Sequence, residues 1–409
     1  MIATVCRICC ADGLLPVLDL GRTPLANRLL TEAQLHEMEP TFPLQLVFCP
    51  NCTLIQIAET VAPEILFRDY VYFSSFSETV VENARSITER LIAGRHLGPG
   101  SLAVEIASND GYLLKNYIAA GVPVLGVEPA LNIAQAANAA GVRTVAEFFN
   151  LELARRLRGE GLSADVIHAN NVLAHVADLG GVVGGISELL KRTGVAVIEA
   201  PYLRETLDHN EFDQIYHEHL CYFSLTALTH LFARHELKVV DVERLPIHGG
   251  SLRVFAARED SQAGVQPAVA ALLRSEQEWG VADYAHYLSF GARIESLKSE
   301  LLALLHEIKR CGERIAVYGA SAKGSTLLNY FGVGREMLEY VVDRSTVKQG
   351  RYTPGTHLLI EPPEILQSDH PDYLLLLTWN FADEILSQQA AYRAAGGKFI
   401  IPIPRVQVV

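Results

Sequence analysis

The stretch Phe212-Asp213-Gln214-Ile215-Tyr216-His217-Glu218-His219 sets a phenol, two imidazoles and a carboxylate at four consecutive positions. An imidazole titrates near neutral pH, and a carboxylate beside it can orient it and raise its basicity, which suits a general base. In an extended stretch His217 and His219 share one face and Glu218 opposes them. Metal ligation is the rival reading, but no third ligand is spaced to match the two imidazoles. A structural polar turn is the plain alternative. A second polar turn, His248-Gly249-Gly250-Ser251-Leu252-Arg253, precedes an apolar run. Its His248, Gly249, Ser251 and Arg253 either line the same cleft or close a hairpin.

Five of the 7 cysteines fall at the start of the chain, as Cys6, Cys9, Cys10, Cys49 and Cys52. Each C-x-x-C turn presents two thiolates to one ion, and the pairs Cys6/Cys9 and Cys49/Cys52 together complete a tetrahedral Zn²⁺ site. Four thiolates close the coordination sphere, so the zinc is structural, a staple for a module with a thin core. Cys10 is out of phase and is a bystander. A redox C-x-x-C is the weaker reading, because neither pair opens a βα unit.

The run Val104-Glu105-Ile106-Ala107-Ser108-Asn109-Asp110-Gly111 reads as a buried strand ending in a small polar turn, and an acidic residue closes the next strand at Glu128-Pro129. A carboxylate there suits a ribose diol. The loop is not G-x-G-x-x-G, so a dinucleotide pyrophosphate is disfavoured. S-adenosylmethionine, which carries no phosphate, fits better: its ammonium faces Glu105 or Asp110 and its ribose faces Glu128, with Ser108, Asn109 and Gly111 forming the cradle. Phe148 and Phe149 either flank the adenine or pack in the core. Asn170, Asn171 and His175 follow the fourth strand, at the strand ends where such sheets bind ligands.

A second glycine turn, Tyr318-Gly319-Ala320-Ser321-Ala322-Lys323-Gly324, opens a helix. Backbone N–H groups and one lysine make an anion site there. A sugar-nucleotide diphosphate is its natural guest, held by Ser321, Lys323 and, from nearby, Lys348 or Arg351; a vestigial turn without ligand is the alternative.

Positioning these groups requires a particular set of elements. Residues 77–93 carry apolar side chains at helical spacing. From Ser101 onward, strands and helices alternate, which gives a parallel, doubly wound α/β sheet, with LKVVDVERLP and SLRVFAARE as late strands. Residues 263–310 read as helical and linker-like, and a new α/β unit starts at Glu313. The expected division is a zinc module over 1–75, a Rossmann-like methyltransferase domain over 76–262, a helical linker over 263–309 and a C-terminal Rossmann-like domain over 310–409.

At 409 residues with 49% hydrophobic and 20% charged residues, the chain can build several cores. A net charge of −13 with no basic run argues against nucleic acid as partner and so against a zinc-ribbon binding protein. The incomplete glycine fingerprint weighs against an NAD(P)-dependent sugar oxidoreductase. No apolar stretch reaches membrane-spanning length, and the first residues lack a signal-peptide pattern, so a cytoplasmic protein is expected.

The ordered set of a four-cysteine module, VEIASNDG, GVEP, EFF, ANNVLAHV, YHEH, HGGSLR and VYGASAKGSTLLN resembles the sugar C-methyltransferases that act on nucleotide-linked deoxysugars in antibiotic pathways. The resemblance spans nearly the whole chain. It implies S-adenosylmethionine as cofactor, structural zinc, and a dTDP-linked 4-keto-deoxysugar methylated at C-3′, with C-5′ as the alternative. A monomeric chain with no membrane partner is expected beside this. By resemblance, Tyr216, Glu218 and His219 match the family's Tyr-x-Glu-His, His175 its histidine after the fourth strand, and Tyr70 or Tyr72 a linker tyrosine entering the active site. One departure is that the family's E-I-G turn reads Glu105-Ile106-Ala107 here, and alanine fits where φ is negative. A 4-ketone acidifies the neighbouring carbon, so the chemistry implied is proton removal by His219, tuned by Tyr216 and Glu218, then attack of the enolate on the methyl group. His175 and the linker tyrosine hydrogen-bond the keto oxygen in this reading.

Overall fold

The computed structural model describes residues 5–62, 65–66, 75 and 77–409. Tyr70 and Tyr72 lie outside the described residues, as does the side chain of His248.

The N-terminal module holds three antiparallel strands, β1 (Leu15–Thr23), β2 (Phe42–Phe48) and β3 (Ile55–Ile57). A fourth strand, Cys221–Tyr222, comes from far along the chain and pairs with β3. The segment immediately after Tyr216–His219 is thereby part of the zinc module's sheet.

The central sheet is built from β4 (Ala103–Ile106), β5 (Val124–Val127), β6 (Thr144–Val145), β7 (Ala164–Asn170) and β8 (Leu190–Pro201). The Cys221–Tyr222 strand is β9, and β10 (Leu237–Leu245) and β11 (Ser251–Arg258) complete the central sheet. The order is β10-β11-β8-β7-β4-β5-β6, parallel from β8 to β6, with β11 antiparallel to both neighbours. Strands β4 and β5 are wholly buried, as a sheet covered on both faces demands. The chain reverses direction across the sheet between β4 and β7, and the crevice beyond their carboxyl ends is where a doubly wound sheet binds ligands. The helix Glu78–Arg95 covers one face, started by a Ser77 cap on the Val80 N–H and ended by His96 in the left-handed region. It runs two residues past the sequence expectation.

Residues 263–310 are not a loose connector. The helix Pro267–Trp279 buries Glu276, whose carboxylate accepts from the N–H groups of Leu225 (2.7 Å) and Thr226 (2.8 Å) at the start of the helix Leu225–Ala233. The helix Tyr284–Arg310 buries Tyr287, Phe290, Ile294, Leu297, Leu301, Leu305 and Ile308, one stripe at steps of three and four. Tyr287 stacks on Phe48 of β2 at 4.7 Å. The stripe is therefore core that packs against the zinc module.

The C-terminal sheet comprises β12 (Ile315–Tyr318), β13 (Val341–Val342), β14 (Ile360–Glu361), β15 (Tyr373–Leu376), β16 (Lys398–Ile401) and β17 (Gln407–Val408) in the order β14-β13-β12-β15-β16-β17. All pairs but β16–β17 are parallel, and the reversal lies between β12 and β15. No described helix is long and apolar enough to cross a membrane.

Candidate active site

The two C-x-x-C turns are near copies. In each, the N–H of the residue after the second cysteine donates to the carbonyl of the first: Cys10 to Cys6 (3.0 Å) and Thr53 to Cys49 (2.9 Å). Cys10 and Thr53 both take left-handed φ, +60° and +61°. The Sγ atoms of Cys6, Cys9, Cys49 and Cys52 all lie within 4.8 Å of one another, with Cys6–Cys52 at 3.4 Å and Cys9–Cys49 at 3.5 Å. Thiolates around a tetrahedral zinc stand about 3.8 Å apart, so the donor set and its spacing fit zinc and leave no open position. Cys10 is exposed and outside the four.

At the crevice of the central sheet, Glu105 is the last residue but one of β4 and is 1% exposed. Burial, then repulsion from Glu128, Asp110 and Glu199, pushes its carboxyl well above the ordinary range, while the Tyr112 hydroxyl opposes this. Glu128 anchors its carboxylate on the N–H groups of Asn109 (3.0 Å) and Ala130 (2.9 Å), across Pro129, which leaves lone pairs for a diol. Burial raises Glu128 as well. Among the described residues, Glu105 Oε2, Ser108 Oγ, Asp110 Oδ1, Asn170 Oδ1 and Asn171 Oδ1 are buried without a hydrogen-bond partner. Buried polar atoms of this kind need partners, and a pocket with more carboxylates than cations calls for a positive ligand. The sulfonium and ammonium groups of S-adenosylmethionine meet both demands.

The turn itself corrects one expectation. Ala107 has φ +52°, not a negative value, and it alternates with Asn109 at +48° and Gly111 at +80°. A side chain therefore occupies a left-handed position that glycine fills most cheaply. Gly111 cannot be replaced, since a Cβ there would stand 2.6 Å from Val142. Gly126 in β5 is equally tied, its Cβ position lying 2.4 Å from Ser108 Oγ. The two aromatic residues divide: Phe149 is buried against Gly185, in the core, and Phe148 is 49% exposed beyond β6.

Next to this pocket, residues 216–219 form a tight turn closed by the His219 N–H on the Tyr216 carbonyl at 2.8 Å, not an extended stretch. The turn separates the two histidines. His217 points to the zinc module, where its Nε2 meets the Pro43 carbonyl (3.1 Å) and its ring meets Phe42 edge-on. His219 Nδ1 lies 2.9 Å from the Gln214 carbonyl and Nε2 lies 2.8 Å from the Tyr216 hydroxyl. A carbonyl only accepts, so Nδ1 carries the proton, and when the ring is neutral Nε2 is the acceptor for the phenol proton. The carboxylate of Glu218 does not orient His219: it accepts from Asn27 Nδ2 at 2.7 Å, and burial raises it. The Glu218 carbonyl instead fixes His175, whose Nδ1 donates to it at 2.8 Å. Burial keeps His175 neutral, which leaves its Nε2 an acceptor. The His175 and His219 rings stand 4.9 Å apart.

Arg253 is buried between Glu199 (2.7 Å) and Glu243 (3.1 Å) and donates to Asn83 Oδ1 (2.7 Å), while Asn83 Nδ2 returns to Glu199 (3.1 Å). This network ties the helix Glu78–Arg95 to β8 and β11. Ser251 turns back to the Ile247 carbonyl at 3.1 Å, and a Cβ on Gly249, which has φ +87°, would stand 2.7 Å from Glu211. At the second glycine turn, Ser321 caps the helix Ala322–Phe331 and Lys323 lies 4.8 Å over the Trp379 ring. The Ala320 N–H is taken by Asp343 (2.8 Å), and Lys348 is committed to the Ala320 carbonyl (2.7 Å) and to Asp343. Arg351 is exposed beyond them. Asn83, Glu199, Tyr112, Gln214 and Trp379 were not singled out in the sequence. Only a doubled pattern of buried polar residues at strand ends could have pointed to Glu199.

A doubly wound sheet with an acidic, cation-seeking crevice beside a tyrosine–histidine pair, stapled by a four-thiolate zinc module, defines an S-adenosylmethionine-dependent methyltransferase. Residues 246–404 match the family "C-methyltransferase C-terminal domain", residues 6–67 the "Putative zinc binding domain" and residues 80–242 the "Methyltransferase domain". The chain is 37% identical to C-methyltransferase NovU of Streptomyces niveus over 99% of its own length and 96% of that protein. It belongs to this family of C-methyltransferases. Among solved structures, magnesium protoporphyrin IX methyltransferase of Synechocystis is 15% identical with a TM-score of 0.36, covering 48% of this chain and 91% of that one. The 1,6-didemethyltoxoflavin-N1-methyltransferase of Burkholderia thailandensis is 21% identical with a TM-score of 0.33, covering 46% and 81%.

Proposed function

We propose that the enzyme methylates C-3′ of a dTDP-linked 4-keto-deoxysugar, through an enolate, in deoxysugar biosynthesis in the cytoplasm. The observation that carries the reading is the chain Gln214 carbonyl–His219–Tyr216. A carbon nucleophile needs a base, and this chain holds an imidazole whose Nδ1 is committed to a carbonyl and whose Nε2 lies on a phenol. S-adenosylmethionine supplies the electrophilic methyl group. Tyr216 takes the C-3′ proton as its own proton passes to His219 Nε2, so the charge ends on an imidazolium held by a carbonyl. His219 thus acts through Tyr216 in this reading. His175, an acceptor while neutral, takes a hydrogen bond from a sugar hydroxyl, and donation to the keto oxygen falls to Tyr70 or Tyr72. Glu105 and Asp110 face the cofactor's ammonium, Glu128 its ribose and Phe148 its adenine. Lys323 and the first N–H groups of the helix Ala322–Phe331 face the diphosphate.

His219→Asn and Tyr216→Phe should each lower kcat at least about 100-fold, the usual scale of general-base loss, while both ligands still bind. His217→Asn should cost far less. In deuterated water, with S-adenosylhomocysteine in place of cofactor, wild type should exchange the C-3′ proton and the two variants should not. Near-normal turnover in His219→Asn with loss in His217→Asn would reverse the assignment. Mass spectrometry and NMR of products from a panel of dTDP-4-keto sugars locates the methyl group. A methyl on C-5′ or on oxygen sinks the C-3′ reading.

A further inference from the structure

The short turn Phe212–Gln214 stands between the C-terminal domain and His219. On one side, Phe212 stacks on Phe331 at 5.1 Å and meets Tyr330 at 5.8 Å, both on the helix that opens at the second glycine turn. On the same side, the Trp379 indole N–H, just beyond β15, donates to Asp213 Oδ2 at 2.7 Å. Asp213 is fully buried, and burial raises its carboxyl above the ordinary range, opposed by the Lys323 charge and the Trp379 N–H. On the other side, the Gln214 carbonyl accepts from His219 Nδ1 (2.9 Å) and from the Tyr222 hydroxyl (3.2 Å). The Gln214 side chain is held in turn by Glu211. The titratable groups facing this turn are Glu205, Glu211, Asp213 and, from the C-terminal domain, Lys323.

We propose that Trp379 and Asp213 are positioning residues for His219: the indole fixes Asp213, which with the Phe212 stack pins the turn Phe212–Gln214 in place, and the Gln214 carbonyl at the end of that turn fixes the tautomer and orientation of the imidazole. A base is useful only if its accepting nitrogen faces the proton, and the group bonded to the other nitrogen decides that. The C-terminal domain thereby sets the base from across the domain boundary, by a path that begins beside the Lys323–Trp379 pair. The inference rests on the assignment of His219 as proton acceptor.

The test compares Trp379→Phe, which keeps an aromatic ring under Lys323 while removing the N–H donor, with Asp213→Ala and Asp213→Asn in the zinc-loaded enzyme. Trp379→Phe and Asp213→Ala should lower kcat roughly 10- to 100-fold, as for a misplaced catalytic group, with KM for S-adenosylmethionine unchanged. Asp213→Asn keeps an acceptor for the indole and should restore most of kcat. In ¹⁵N-histidine NMR spectra, the His219 signal should leave the Nδ1–H tautomer in the first two variants and keep it in the third. His219→Asn runs in parallel. If His219→Asn is inactive while Trp379→Phe retains wild-type kcat and the Nδ1–H tautomer, the positioning role is overturned and the base assignment stands. If His219→Asn is active, the base assignment itself fails. Should Asp213→Ala not fold, Trp379→Phe and Asp213→Asn decide the matter between them.

Discussion

Ala107 carries a methyl group where the cofactor turn bends left-handed, at φ +52° between β4 and Asn109. The cost of that conformation for a residue with a Cβ is about 1 kcal/mol, and replacing it with glycine trades part of this for chain entropy. Ala107→Gly should therefore raise stability slightly, on the order of 0.5 kcal/mol, seen as a higher melting temperature, without weakening cofactor binding. A lower melting temperature would show that the turn is not strained. Glu105 leads to a pH effect. Burial and the Glu128 carboxylate raise its pKa, so the folded apo protein holds a proton that the unfolded chain has lost. Apo stability should fall as pH rises from the ordinary carboxylate range through this raised value. A cationic ligand favours the ionised form, so affinity for S-adenosylmethionine should rise over the same window and binding should release protons. Calorimetry in two buffers of different ionisation enthalpy measures the release, and Glu105→Gln should reduce it; no release in wild type removes Glu105 from the ligand's contacts. The four-cysteine cluster was legible because its chemistry depends on residue type and spacing. The pairing of Tyr216 with His219 was not, because it depends on a turn, which brings positions three apart together where an extended strand brings positions two apart.

At the scale of elements, the zinc module does more than fold itself. Its β3 pairs with β9, which follows His219 by one residue, the Ile57 N–H donates to the Leu220 carbonyl at 3.0 Å, and Asn27 holds Glu218. The proposed base, His219, therefore hangs from the module's sheet. Cys49→Ser should release about one zinc per chain, lower the melting temperature and lower kcat together, with zinc read by a chromogenic chelator and unfolding by circular dichroism. A variant with normal stability and lost turnover would instead make the zinc catalytic. The long helices were readable, since the helix expected over 77–93 is observed as Glu78–Arg95. Strands of two or three residues, such as β3, β6, β9 and β13, carry no period to read. Their pairing is set by tertiary contacts, and β9 in particular joins a sheet some 160 residues upstream in the chain.

Over the whole molecule, the order of parts follows the sequence, and the helical stretch after β11 is where the linker reading gives way to a structural role. The charges along Tyr284–Arg310 resemble those of an exposed connector, but the apolar stripe beneath them is fully used. It clamps the zinc module through Phe48, and the module also reaches the C-terminal domain, with Glu39 accepting from His357 Nε2 and from the Gly355 N–H, both at 2.9 Å. The three parts close a ring of contacts around His219: zinc module to β9, β9 to the Tyr216–His219 turn, that turn to Gln214, and Gln214 through its neighbour Asp213 to Trp379. A ring of this kind should unfold as one unit, because opening any joint exposes buried surface in two parts at once. Tyr287 tests the joint best. It is fully buried, stacks on Phe48 and donates its hydroxyl to the Val281 carbonyl at 2.6 Å. Tyr287→Phe should cost about 1 kcal/mol, the value of one hydrogen bond, and Tyr287→Ala about 3–5 kcal/mol, the range for a large aromatic removed from a core. Both losses should appear in scanning calorimetry as a lower single transition, with zinc released at the same temperature. If Tyr287→Ala costs under about 1 kcal/mol, or splits off a separate zinc-module transition while the rest keeps its wild-type melting point, the long helix is a tether and not a brace.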